Sequence, residues 1–423
     1  MRGSALCSAT LLIASLLLGT APVAVADSGD DARRIQPIKS LGSTQDVRFA
    51  TYNADLNRSA PGELVRDIST RDGPQASAAA ELVQLSRPDV LLLNEFDHDP
   101  GGRAAELFNT GYLGVGQNGK RALEYPYLYT APVNSGVGSG FDLDRDGRVG
   151  GPEDALGTGA FEGQSGMVIY SRYPIGTEAV RTFRTFLWQD MPGALLPDNP
   201  ATEATGDWYT EQELAVLPLS GTSHWDVPIR VAGKTLHVLA SNPTSAASDG
   251  PERRNGRRNS DEIRFWSDYV TGGSTAAYVY DDDGGTGGLG RGERFVVMGD
   301  QNSDPEDGGS LDGAIDQLLG HRSVQDPLPS SKGAAEAAAL QGGANANHRG
   351  DPRLHTADFE DRSAGNLRVD YVLPSRNLRV ADSGVFWPLL GTPGAELTGI
   401  FPFPASDHRL VFVDVTLGGS RSR

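Results

Sequence analysis

Asp89-Val-Leu-Leu-Leu-Asn-Glu95 decides how this chain is read. Four consecutive apolar residues ending on an amide and an acid suit a short strand buried on both faces, with polar groups where it leaves the core. Ala76 to Ser86 has helical spacing, and Pro88 stops it. Outward from here, further strands are expected at Val47–Asn53, Met167–Ser171, Thr235–Ser241, Arg294–Gly299, Leu367–Leu373 and Leu410–Leu417, and a short helix at 334–341. The stretches 97–165 and 186–226 show little periodicity and read as elaborate loops. There is no internal repeat.

The ends of these strands carry the chemistry. Thr51-Tyr52-Asn53, Asn94-Glu95, Gly299-Asp300-Gln301-Asn302, Asp370-Tyr371 and Ser406-Asp407-His408 each place acids, amides or histidine where a loop leaves the scaffold. Singly, each is weak, because an acid after a strand is usually a turn former or a helix cap. Together they offer what a phosphoester site needs. Glu95 and Asp407 supply hard oxygen ligands for Mg2+ or Mn2+, and Asn53 and Asn302 supply neutral amides. His408 exchanges protons near neutral pH, and Asp370 is placed to orient it.

The chain has 423 residues, 38% hydrophobic and 22% charged, with 53 Gly and 26 Pro. That composition fits a folded protein with many loops. Arg2, the apolar run Ala9–Leu18 and the small residues Ala24-Val25-Ala26 read as a secretory signal over 1–26, making Asp27 the mature N-terminus. A buried N-terminal helix is the competing reading. The run is too short to span a bilayer, so no stable membrane insertion is expected. Export makes the protein extracellular. Residues 27–45 read as a leader. Cys7 is the one cysteine and lies in the signal, so no disulfide is expected. The net charge of −18 disfavours a dedicated polyanion binder.

The ordered motifs T-Y-N (51–53), D-V-L-L-L-N-E (89–95), G-M-V-I-Y-S-R-Y-P-I (166–175), G-D-Q-N (299–302), R-V-D-Y-V-L (368–373) and S-D-H (406–408) resemble the endonuclease/exonuclease/phosphatase superfamily. The resemblance runs from Val47 to Leu417. It implies a four-layer α/β sandwich, two mixed β-sheets packed face to face with flanking helices, as one domain over 46–418. It implies that Glu95 ligates a catalytic Mg2+, helped by Asn53 and Asp407. Asp300 and Asn302 would then position the attacking water and the phosphate, and His408, held by Asp370, would serve as acid/base. One departure stands out. Where many members carry a phosphate-contacting histidine, this chain has Asn242, which can donate a hydrogen bond but cannot carry charge. The abasic-site endonuclease branch is similar in using asparagine there.

Two further clusters call for a reading. Asp142, Asp144, Asp146, Gly147, Arg148 and Glu153 fit a twelve-residue calcium loop, with the Arg148 carbonyl as a ligand, and imply a structural Ca2+. An unoccupied acidic turn is the alternative. Arg253, Arg254, Arg257 and Arg258 read either as a phosphate-recognition patch or as a loop before a helix capped by Asn259 or Ser260. Trp188, Trp208, Trp225 and Trp387 read as core, or as the lining of a substrate groove. The remaining histidines have no metal-ligand spacing.

The expected function is a secreted, metal-dependent phosphatase or phosphodiesterase acting as a monomer on a small or lipid-linked phosphoester. A secreted nuclease, with nucleic acid as substrate, is the alternative within the class. A calcium-dependent binding protein with weak catalysis is the alternative outside it.

Overall fold

The computed structural model describes residues 44–418. The expected signal, and the leader up to residue 43, lie outside them. The strands among the described residues are β1 (Thr44–Leu56), β2 (Val90–Phe96), β3 (Tyr127–Tyr129), β4 (Met167–Ser171), β5 (Arg181–Thr182), β6 (His224–Val231), β7 (Lys234–Ser241), β8 (Phe295–Asp300), β9 (Ala357–Asp358), β10 (Asn366–Leu367), β11 (Asp370–Pro374), β12 (Arg379–Val385) and β13 (Val411–Gly418). One sheet has the order β12-β13-β1-β2-β4-β3 and the second β11-β8-β7-β6-β5, with β9 and β10 as a short ladder. Both sheets are mixed. β1–β2 and β7–β8 run parallel, and their other pairings are antiparallel.

Side-chain alternation decides which faces meet. Val47 and Phe49 of β1 and Val90 and Leu92 of β2 face Val227, Val238, Val296, Met298 and Val372 from the other sheet, making the core between the sheets. The opposite parity, Ala50, Tyr52, Leu91 and Leu93, packs under Ala79, Leu82 and Val83 of the helix Pro74–Ser86. On the far side, Leu239, Val297, Tyr371 and Leu373 pack against Ile263, Phe265 and Trp266 of the helix Arg254–Thr271. The result is four layers: helix, sheet, sheet, helix. Each fully buried Val, Leu, Ile, Phe or Met side chain among these stabilises by roughly 1.5–3 kcal/mol.

The helix Pro74–Ser86 opens with proline at its first position, where the missing N–H costs nothing. It closes at Arg87, whose φ of 50° is left-handed.

Several boundaries differ from the sequence reading. β6 lies partly inside a stretch read as loop, because pairing with β7 supplies the order that periodicity does not show. The strand expected at 367–373 is divided. Leu367 pairs with Ala357, while Asp370 begins a separate ladder with β8. The helix expected to start near Asn259 starts at Arg254. The Asp249 carboxylate caps it, accepting from the backbone N–H groups of Asn255 and Gly256 at 2.7 Å each. The groove reading of the tryptophans is corrected. Trp188, Trp225 and Trp387 are buried, and Trp208 packs partly buried against the core.

Candidate active site

The parity that builds the core also builds the site. Asn53 continues the face of Val47 and Phe49, Asn94 that of Val90 and Leu92, Asp300 that of Val296 and Met298, and Asp370 that of Val372. All four are buried, so the apolar layer turns polar at one end. Register then aligns them. Asn53 is opposite Asn94, and Asp370 is opposite Asp300. Asn94 ties the sheets together. Its Oδ1 accepts from the Asp300 backbone N–H at 3.1 Å, and its Nδ2 donates to the Ser241 carbonyl at 3.4 Å.

Strained backbone brings in the remaining groups. Asp55, Glu95 and Asn302 have φ of 50°, 51° and 49°, which costs roughly 1–2 kcal/mol for Glu95 and less for Asp and Asn, residues that tolerate this region. Glu95 thereby leaves the alternation of β2, and its Oε1 accepts from Asn53 Nδ2 at 2.9 Å. Gly299, at φ 141°, runs so close to β7 that a Cβ would lie 1.9 Å from the Ser241 carbonyl oxygen. Only glycine fits there.

Asn53 Nδ2 is the hub. Besides Glu95, it lies 3.2 Å from Asp300 Oδ2 and 3.5 Å from His408 Nε2. His408 Nδ1 is 2.9 Å from Asp370 Oδ2, which also accepts from Thr356 Oγ1 at 2.8 Å. His408 Nε2 is 3.9 Å from both Asp300 Oδ2 and Asp407 Oδ1. Asn57 Nδ2 donates to Glu95 Oε2 at 3.0 Å. Asn302 Nδ2 donates to the Pro243 carbonyl at 3.0 Å and to Asn242 Oδ1 at 3.4 Å, placing Asn242 beside the other site residues. Asn53, Asn242, Asp300, Asn302, Asp370 and His408 therefore join one hydrogen-bonded and charged neighbourhood with Glu95 and Asp407. Sequence reasoning missed Asn57 and Thr356. Asn57 sits two residues past Asp55 and carries a weak signal, and Thr356 carries none.

Charge in this neighbourhood is unbalanced. Burial pushes the Asp300 carboxyl up to about 7, with His408 pulling the other way. Burial also raises Glu95, against the Asn53 hydrogen bond. For His408, burial favours the neutral ring, but the carboxylates of Asp370 and Asp300 outweigh it and hold the imidazole well above its usual value. One histidine thus faces four acids. Asp370 Oδ1 is buried with no hydrogen-bond partner. This donor set, hard oxygens with excess negative charge, fits a divalent cation. Ligand-type atoms of Asp300, Asp370 and His408 lie within 4.8 Å of one another. Asp370 Oδ2 takes hydrogen bonds from His408 and Thr356, while Oδ1 is left open.

The two outlying clusters differ from expectation in part. Asp142, Asp144 and Asp146 bring carboxylate oxygens within 4.8 Å of one another, and Gly147 turns the loop at φ 86°. The Arg148 amide donates to Asp146 Oδ1 at 2.8 Å. Glu153, expected as the closing ligand, instead accepts from the Arg254 guanidinium at 2.9 Å. The phosphate-patch reading of the arginines is corrected. Arg254 is held by Glu153, Arg257 by Asp198 at 2.6 Å, and buried Arg258 donates to the carbonyls of Leu156, Pro218 and Leu219. Guanidiniums engaged in this way are loop fasteners.

Residues 50–408 match the endonuclease/exonuclease/phosphatase family, and the chain belongs to that family of phosphoester hydrolases. The match contains every site residue from Asn53 to His408. Among solved structures, an endonuclease/exonuclease/phosphatase from Beutenbergia cavernae is 18% identical over 89% of this chain and 73% of its own, with a TM-score of 0.46. A truncated TDP2 from Caenorhabditis elegans is 14% identical over 88% and 98%, with a TM-score of 0.41. A beta toxin from Staphylococcus aureus is 14% identical over 87% and 99%, with a TM-score of 0.39. Comparison with curated proteins gives no match.

Proposed function

We propose that the chain is a divalent-metal-dependent phosphatase or phosphodiesterase, exported behind a signal at 1–26 and a leader, with one catalytic domain over 44–418; the leader expected over 27–45 gives way at Thr44 and Gln45, which pair with Gly418 and Leu417 in the β1–β13 ladder. The observation that carries this reading is the buried Asp370–His408 pair aimed at Asp300 and at the amide that holds Glu95.

Glu95, with Asn53 and Asp407, would hold Mg2+ or Mn2+. When bound, that ion offsets charge on the phosphoryl oxygens. The protein groups do the rest. Asp300 orients the attacking water and takes its proton, a task suited to a carboxyl raised toward neutrality. Asn302 and Asn242 offer amide donors to the nonbridging oxygens. His408, kept cationic by Asp370, stabilises negative charge as the leaving oxygen departs and donates a proton to it. The Asp142, Asp144 and Asp146 loop would hold a structural Ca2+ without Glu153. This part of the reading predicts a calcium-dependent rise in Tm that Asp144→Asn removes.

A small or lipid-linked ester fits better than nucleic acid. The chain carries −18 net charge, and the arginines once available for phosphate hold loops instead. Purified protein should hydrolyse a mono- or bis-aryl phosphate with Mg2+, and should lose that activity in chelator and in Glu95→Ala or His408→Ala. Efficient degradation of plasmid DNA, declining steeply with salt, would assign a nuclease instead. Calcium-dependent stabilisation without turnover on any ester would leave only a binding protein.

A further inference from the structure

Immediately upstream of Ser406-Asp407-His408, the connection from β12 to β13 carries Leu389-Leu-Gly-Thr-Pro-Gly-Ala-Glu-Leu-Thr-Gly-Ile-Phe-Pro-Phe-Pro404. Its tip is apolar and bare. Phe401 is 84% exposed and Ile400 72%, the two most exposed large hydrophobic side chains among the described residues. Leu390, on the same connection, is also exposed. The tip is a tight projection. Gly399 has φ 50°, and a Cβ there would come within 2.9 Å of Pro404 Cδ, so residues 400–403 stand out from a closed base. It also leads straight to the site. The Phe401 ring lies 6.3 Å from that of Phe403, and the Phe403 ring centroid lies 5.3 Å from the guanidinium carbon of Arg409, the neighbour of His408.

The chemistry narrows the occupant. Residues 389–404 contain no lysine or arginine and one acid, Glu396, whose carboxylate accepts the Gly394 N–H at 3.0 Å. The tip therefore has no cation for nucleic acid or for anionic lipid. A stable dimer needs about 800 Å² from each partner, more than a few side chains on a narrow projection provide. An aromatic ring beside an aliphatic side chain, projecting without charge, suits the boundary between headgroups and acyl chains.

We infer that Ile400 and Phe401 insert into the surface of a neutral or zwitterionic lipid layer and bring a lipid-borne phosphoester to His408. Docking stands on the exposed tip. The identity of the substrate rests also on the hydrolase reading above.

The test uses the full mature chain and phosphatidylcholine vesicles in a sedimentation assay. Wild type should bind. Ile400→Ser/Phe401→Ser should bind at least 10-fold more weakly with an unchanged Tm, while Leu340→Ser, at an exposed position on the helix Lys332–Gln341, should bind like wild type. Adding phosphatidylserine should not strengthen binding. Absence of wild-type binding, full binding by the double variant, or binding only to anionic vesicles would each overturn docking. The ratio of turnover on a vesicle-borne phosphodiester to turnover on a soluble one should fall in the double variant, and an unchanged ratio would overturn the link to substrate. Loss of the hydrolase reading shows separately, as no turnover on either ester while vesicle binding persists.

Discussion

Asp300 and Asp370 lie directly opposite each other in the β8–β11 ladder, and His408 spans them, 3.9 Å from one and 2.9 Å from the other. Two buried carboxylates brought together by strand register repel unless a cation stands between them. Strand pairing thus creates the electrostatic demand that His408 and a bound metal would meet.

Replacing Asp370 with asparagine keeps the shape and removes the charge that holds His408 protonated. The imidazole should fall toward its ordinary value and lose its oriented Nδ1 contact. We expect kcat on an aryl phosphate to drop by roughly 10²–10⁴ with little change in KM, and the His408 ring to titrate lower by NMR. A kcat within threefold of wild type would remove His408 from the proposed role.

Glu95→Gln preserves volume and hydrogen bonding to Asn53 while deleting a hard anionic ligand. Calorimetry should show Mg2+ or Mn2+ affinity falling by at least tenfold, with activity falling alongside. Retained metal affinity would move the ion to Asp300 and Asp370.

Acid stability should depend on His224. The ring is buried, and burial lowers it to about 4. Its Nε2–H donates to the Glu262 carbonyl at 2.9 Å. Unfolded histidine titrates near 6.5. The neutral ring therefore contributes stability that is fully present above about 6.5 and lost as pH falls toward about 4, up to roughly 3 kcal/mol. The Glu262 carboxyl, raised by burial to about 7, acts with the opposite sign. Its contribution is present at low pH and lost as pH rises through that value. The clean measurement is a difference. Urea melts at pH 7 and pH 4.5 should show His224→Gln losing less stability on acidification than wild type. Equal losses would place the sensitivity elsewhere.

Asn259→Ala tests the scaffold behind the site. The buried amide donates to the carbonyls of Thr244 and Gln301 at 3.0 and 2.9 Å, clamping the loops that carry Asn242 and Asn302. Losing it should cost about 1–3 kcal/mol of stability and lower kcat several-fold. A stability loss with unchanged kcat would show that those loops hold their geometry without the clamp.

Much of the fold could be read locally. The run Asp89–Glu95 announced β2, and helical spacing over 76–86 announced the helix that covers it. The bare acids and amides at strand ends were also visible. Other features were not. The arginines at 254–258 looked available for phosphate because nothing local shows that Glu153, Asp198 and the Leu156, Pro218 and Leu219 carbonyls surround them. Glu153 fitted a calcium loop by spacing, yet a guanidinium about a hundred residues away claims it. Thr356 gave no sign of its contact with Asp370.

The sequence by itself determined the strand and helix periods, the chemical types at strand ends and the family, because each is written in neighbouring residues or in their order. Only the tertiary structure decided partnership. Asn53 meets Asp300 across 247 positions and His408 across 355. Such contacts follow from how two sheets pair, twist and stack, and no local pattern encodes which distant carboxylate will share a buried site with which histidine.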